Sequence, residues 1–232
     1  RGLEDYYRQL TKNIATVYCS AAEPERFKTL TGSVSALRQE LALPQDKVIF
    51  GYTGNVSRTG NNDSYGIEDI ISCLSLLPAQ YMFVAVGKRA DDTKELEALA
   101  DRLKVADRVM FVPWTTKDRV TKYIRAFDLL VIPSAGAQVG NSPTKIFEYL
   151  VSGRPIVAAQ TQAIAEILTD HHNCLLVDYK KPEAWSQALQ LLSDDTELRE
   201  RLINQAQLDG AEYTWDKRAQ ALNTFITKYL PA

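Results

Sequence analysis

Short apolar runs without polar alternation recur along this chain. Segments in which apolar positions return every third or fourth residue separate them. The runs at 15–19, 47–53, 81–87, 108–112, 129–133, 155–159 and 174–177 are mostly rich in Val, Ile and Leu. Strands covered on both faces look like this, because neither face has a side to show water. Between the runs, residues 33–41, 66–77, 92–103, 117–126, 143–152 and 163–168 carry helical spacing. Strand and helix alternating over short connections predict an α/β fold with a doubly wound, mostly parallel sheet. After residue 181 the alternation stops. Segments 182–193, 196–210 and 215–229 are helical in period with no strand between them, which predicts a helical tail packing on the sheet or reaching to another domain. The polar, irregular stretch 21–32 predicts no element.

The helix at 143–152 is the best delimited. Ser142 is a good N-cap and Pro143 a good first helical residue, since proline lacks the N–H that would go unpaired there. Gly153 is placed to close the helix and Pro155 to stop its continuation. The backbone N–H groups of Thr144 and Lys145 would sit at the positive helix end, a seat for phosphate. Glu148, one turn on, could accept hydrogen bonds from the vicinal hydroxyls of a sugar. A capped amphipathic helix with a solvated Glu and Lys fits the same residues, so the surroundings must decide.

Composition removes some classes. A net charge of −2 over 232 residues carries no polyelectrolyte signature, which argues against general nucleic-acid binding. No apolar run reaches the length of a membrane span, and from the polar opening Arg1-Gly2-Leu3-Glu4-Asp5 no signal peptide is expected. Cys19, Cys73 and Cys174 are scattered, with no CxxC pair, as expected of reduced thiols in the cytoplasm. His171 and His172 are adjacent, so their side chains diverge; with no other ligand cluster, no metal site is expected.

Open parallel sheets bind ligands beyond the carboxyl ends of their strands. After 47–53 comes a long polar loop, Gly54-Asn55-Val56-Ser57-Arg58-Thr59-Gly60, able to bring backbone N–H groups and Arg58 to an anion. It is not GxGxxG, which removes the main support for a dehydrogenase. After 81–87 comes Lys88-Arg89. After 108–112 comes Pro113-Trp114, where a flat base could rest on backbone and ring. After 129–133 a small-residue loop through Asn141 feeds the helix at 143–152. Glycine loops, cations and one helix start on one sheet edge suit a diphosphate joined to polar rings.

These segments resemble the C-terminal, donor-binding half of GT-B-fold retaining glycosyltransferases, the glycosyl transferases group 1 family. The likeness runs over nearly the whole chain. Val17-Tyr18-Cys19-Ser20-Ala21-Ala22-Glu23-Pro24-Glu25-Arg26-Phe27 resembles the interdomain V-x-N-G-V-D-x-x-R-F. Gly54 with Gly66-Ile67-Glu68-Asp69-Ile70 resembles the phosphate region, and Ala126-Phe127-Asp128-Leu129-Leu130-Val131-Ile132-Pro133-Ser134 resembles A-D-x-x-V-x-P-S. Glu148-Tyr149-Leu150-Val151-Ser152-Gly153-Arg154-Pro155-Ile156-Val157-Ala158 resembles the hallmark E-A-M-A-x-G-x-P-V-V-A.

The resemblance implies one Rossmann-like half of a GT-B fold. Residues 1–46 would hold the interdomain segment and first βα unit, 47–181 the nucleotide-sugar-binding core, and 182–232 the C-terminal helices. It implies transfer of a glycosyl group from a nucleoside-diphosphate sugar to an acceptor hydroxyl, on a glycan or lipid-linked sugar, in polysaccharide biosynthesis. The protein would be cytoplasmic, with a peripheral place at the inner membrane face left open, and would need no metal or other cofactor. Glu148 matches the second glutamate of the family's EX7E motif, which binds the ribose. The first falls at Gly140. The family's phosphate-binding Arg and Lys fall near Asn55 and Tyr65, so Arg58 and Lys88 are expected to take over. Donor binding is thus expected at Glu148, Lys145, Thr144, Ser142, Asn141, Gly54, Asn55, Arg58, Lys88 and Pro113, with catalytic residues in a second domain. This chain alone is expected to be inactive. A sugar-nucleotide epimerase of the same architecture and a non-catalytic nucleotide-sugar-binding module remain alternatives.

Overall fold

The computed structural model describes residues 7–11, 20–56, 66–88, 93–133 and 144–229, without the side chains of Lys88 and Tyr229. The expected strand at 15–19 therefore lies outside the described residues. The remaining strands are β1 (Val48–Val56), β2 (Tyr81–Lys88), β3 (Val109–Pro113), β4 (Leu129–Ile132), β5 (Ile156–Ala159) and β6 (Leu175–Val177). They form one sheet in the order β3-β2-β1-β4-β5-β6, and every neighbouring pair is parallel. This is the doubly wound arrangement that the unalternating apolar runs predict, and β4 and β5 are buried at every position.

The helices that precede and interleave the sheet are α1 (Pro24–Lys28), α2 (Val34–Glu40), α3 (Ile67–Leu74), α4 (Lys94–Arg102), α5 (Lys117–Ala126), α6 (Lys145–Leu150) and α7 (Gln162–Ala165). After β6 come α8 (Pro182–Asp194), α9 (Thr196–Gly210) and α10 (Trp215–Tyr229). Two groups pack separately: α3 with α4 and α8, and α2 with α1's neighbour α5. Buried Arg38 of α2 ties the second group to the sheet. It donates to Ala126 O at 2.9 Å, Lys47 O at 3.1 Å and Asp128 Oδ2 at 2.6 Å, and Asp128 Oδ2 also accepts from Ile49 N at 2.7 Å.

Helix α1 falls in the stretch from which no element is expected. Pro24 at its first position and Arg26 and Lys28 in its last turn are proper start and stop residues. Five residues are too few to show a helical period. At α6, Ser142 and Pro143 lie outside the described residues; Thr144 already has helical dihedrals, φ −57° and ψ −26°. The helix ends at Leu150 with Val151 as its C-cap, short of the expected end at 152, and Gly153, with φ 71°, lies in the turn that follows rather than directly after the cap. The tail divides. Helices α8 and α9 bury Trp185, Leu189, Leu192, Leu202 and Ala206 against the core, whereas most of α10 is exposed.

Candidate functional site: a cleft at the switch point of the sheet

Strands β1 and β4 are where the strand order reverses, and a cavity of about 560 Å³ opens beyond their carboxyl ends. Its floor depends on two glycines. The β1–β2 register slips between Thr53↔Val86 and Val56↔Lys88. At the slip Gly54 has φ 141° and Gly87 φ 123°, and a Cβ on Gly87 would stand 2.3 Å from Gly54 O. Only glycines allow this backbone approach, which leaves the cavity floor free of side chains at both positions.

Helix α6 supplies one wall. Lys145 Nζ lies over the Tyr52 ring, 4.9 Å from its centroid, and the Tyr52 hydroxyl donates to Asn55 O at 3.1 Å. Burial pulls the Lys145 pKa down to about 8, against the opposing pull of Glu148. Beneath the wall, the buried Tyr149 hydroxyl accepts from Thr53 N at 2.8 Å and lies 3.1 Å from Thr53 Oγ1. The end of β1 and α6 are therefore tied together by hydrogen bonds.

Glu148 also faces the cavity. Its Oε1 accepts from Arg26 Nη1 at 3.1 Å. Arg26 Nη2 donates to Lys117 O and to Thr121 Oγ1, and its Nε stands 3.7 Å from Glu23 Oε2. Glu23 Oε1 in turn accepts from Lys117 Nζ at 2.5 Å and Trp215 Nε1 at 3.3 Å. The Lys117 hydrogen bond holds the Glu23 carboxyl below the usual carboxylate range, although partial burial works the other way. One network thus joins α1, α5, α6 and α10 around the opening. Exposed Trp114, just past β3, and Trp215, at the head of α10, add two indole faces.

Of the expected donor-binding residues, Glu148, Lys145, Thr144, Gly54 and Asn55 meet on this cavity. Pro113 ends β3 one residue short of the wall, and its neighbours Trp114 and Thr115 line it instead. Lys88 ends β2, and its side chain is outside the description. Asn141, Ser142, Arg58 and Gly140 lie outside the described residues.

A family model described as glycosyl transferases group 1 matches residues 33–209. The chain belongs to this family. Among related sequences, the D-inositol 3-phosphate glycosyltransferase of Xylanimonas cellulosilytica is 31% identical over 191 residues, covering 81% of this chain and 44% of that protein. The enzyme of the same name from Stackebrandtia nassauensis is 28% identical over 227 residues, covering 95% of this chain and 50% of that protein. The chain therefore spans about half the length of these curated relatives. In fold it matches Anabaena HepE, solved in complex with UDP-glucose, with a TM-score of 0.79 at 21% identity over 92% of this chain and 57% of that one. It also matches the C-terminal domain of a group 1 family glycosyl transferase from Francisella tularensis, with a TM-score of 0.68 at 18% identity, covering 84% of this chain and 100% of that domain.

As a group 1 glycosyl transferase chain, this molecule brings to its cleft, and into the network behind it, several residues beyond those expected there. Arg26 and Glu23 were within reach, since both sit in the segment resembling V-x-N-G-V-D-x-x-R-F. Lys117 and Trp215 had no such signal, because their roles depend on the N-terminal ends of α5 and α10 meeting Glu23 in space. Among the described residues no group of three or more His, Cys, Asp or Glu side chains is placed to hold a metal, and no helix is long and apolar enough to cross a membrane. Cys73 and Cys174 are buried free thiols, and burial pushes both well above the usual thiol range.

Proposed function

We propose that this chain is the nucleoside-diphosphate-sugar-binding half of a retaining glycosyltransferase. The observation that carries the reading is the pairing of Lys145 and Glu148, one turn apart on α6, on one cavity wall beside the glycine-built floor. In this reading Glu148 accepts hydrogen bonds from the ribose hydroxyls and fixes the donor's register. Lys145 and the backbone amides of Thr144 and Lys145 meet the diphosphate and stabilise the charge that develops as it departs. Lys145 then supplies a positive charge that the Asn55 and Tyr65 positions lack, and the scheme calls for no metal. Trp114 offers its face to the base. The likeness to HepE, solved with UDP-glucose, makes UDP the first nucleotide to test, and the D-inositol 3-phosphate glycosyltransferases support transfer to a hydroxyl acceptor. The acceptor site and the remaining catalytic groups are assigned to a second domain, so this chain alone binds donor and transfers nothing. An epimerase gains no support here: among the described residues the cavity's carboxylates are Glu23 and Glu148, and each is in an ion pair.

Calorimetric titration of the 232-residue chain with UDP, GDP and ADP tests the proposal. One nucleotide is expected to bind, and Glu148→Gln to weaken it by about 1–3 kcal/mol through loss of a charged acceptor. Absence of binding by all three at millimolar concentration refutes the reading.

A further inference from the structure

Arg26 stands off the cavity wall while its partner Glu148 is on it. The guanidinium therefore holds the carboxylate from a position that does not line the cavity. It is not free to swing away: Nη2 is shared between Lys117 O and Thr121 Oγ1 of α5, and Nε faces Glu23. A planar fork fixed at both ends defines where its third contact must lie, and that contact is Glu148 Oε1 at 3.1 Å. Glutamate has three rotatable side-chain bonds, so an unheld Glu148 would spend most of its time pointing elsewhere, and binding would have to bear the cost of ordering it. With Oε1 engaged by Arg26, the carboxylate keeps further acceptor positions for a ligand in the cavity it lines.

Resting on the donor-binding reading, we infer that Arg26 is a positioning residue for the donor's ribose. It clamps Glu148 in the orientation that receives a vicinal diol, and so sets the site's preference for ribose over sugars that lack both hydroxyls. Thr121 and Lys117 act one step further out, by holding Arg26. The roles divide by contact: Glu148 touches ligand, whereas Arg26 acts only through Glu148.

The test is a set of titrations with UDP and 2′,3′-dideoxy-UDP, with the guanosine and adenosine pairs run alongside. The chain as it stands is compared with Arg26→Met, Arg26→Lys, Thr121→Val and Glu148→Ala. The unmodified chain is expected to prefer the diol by about tenfold or more, the scale of one charged hydrogen bond. Arg26→Met should collapse that preference to within about twofold while leaving dideoxy-nucleotide binding unchanged. Adding Glu148→Ala to it should cost nothing further. Arg26→Lys, which keeps the charge and an N–H donor group but not the planar fork, should recover part of the preference. If Arg26→Met does not fold, Thr121→Val, which removes one anchor outside the cavity, should still lower the preference about threefold. Equal losses for both nucleotides, or an intact diol preference in Arg26→Met, overturn the inference alone. Failure of the unmodified chain to bind any of the nucleotides overturns the donor-binding reading and this inference with it.

Discussion

Lys145 illustrates how a single side chain can carry a pH profile. Seated against Tyr52 and beside Gly54, it loses water that an ammonium wants, and its pKa falls to about 8 from 10.5. At neutral pH it remains mostly protonated, and only that form attracts a diphosphate. Above pH 8 the free site progressively deprotonates. The terminal phosphate, with its second pKa near 6, is already fully charged there and adds no opposing trend. Nucleoside-diphosphate affinity should therefore fall roughly tenfold between pH 7 and pH 9, with the bound complex holding the proton. Titrations near pH 8 in buffers of different ionisation heat should show proton uptake on binding. Lys145→Met should bind more weakly and lose the pH dependence. A flat profile in the unmodified chain would remove Lys145 from the phosphate site. The sequence pointed to this residue and to Glu148 because both lie within one turn of a well-marked helix start. It could not show the depressed pKa, which comes from Tyr52 and Gly54 of another element.

At the scale of elements, β1 shows what apolar pattern conveys and what it hides. Its buried run was legible, but Gly51 in the middle of it reads only as a weak strand position. In the fold, a Cβ on Gly51 would stand 1.9 Å from Phe127 Cδ2, inside a ring that is itself fully buried. The glycine is there because the Phe127 ring lies directly against the strand. Gly51→Ala should thus destabilise the chain by about 1–3 kcal/mol through overpacking, lowering Tm by several degrees in a domain of this size. Phe127→Leu added to Gly51→Ala should restore part of the loss, because the two changes share one contact. Additive losses would show that the strain lies elsewhere. Helices α5, α9 and α10 matched their sequence periods, whereas α1 did not emerge, because its length is set by capping residues rather than by an apolar stripe. Of the loop residues expected to bind anions, Gly54 and Asn55 line the cavity, while Arg58 lies outside the described residues.

For the whole molecule, the sequence left open whether the tail packs on the sheet or reaches away, and the structure gives each half of it a different answer. Helices α8 and α9 contribute fully buried Trp185 and Leu202 to the hydrophobic core of the described residues. Helix α10 is anchored near its first turn. Trp215 Nε1 meets Glu23, Ala22 bridges Thr214 with Ala22 N donating to Tyr213 O at 2.6 Å, and the Tyr213 ring lies 5.5 Å from Phe147. Beyond Arg218, Leu222 and Ile226 are 39% and 50% exposed and Phe225 is partly buried, so apolar burial along that part of the helix is modest. Stability therefore divides along the molecule. The amides of β1, β4 and β5 should exchange with solvent only on global unfolding, while those of residues 219–229 exchange first. Truncation after Arg218 should move Tm by no more than about 3 °C and leave nucleotide affinity within about twofold, since among the described residues it removes no fully buried side chain. Trp215→Ala should weaken nucleotide binding more than that truncation, because it breaks the network that reaches Arg26 through Glu23. A truncated chain that unfolds 10 °C lower would place α10 in the core, and the cleft network would then be secondary to its packing.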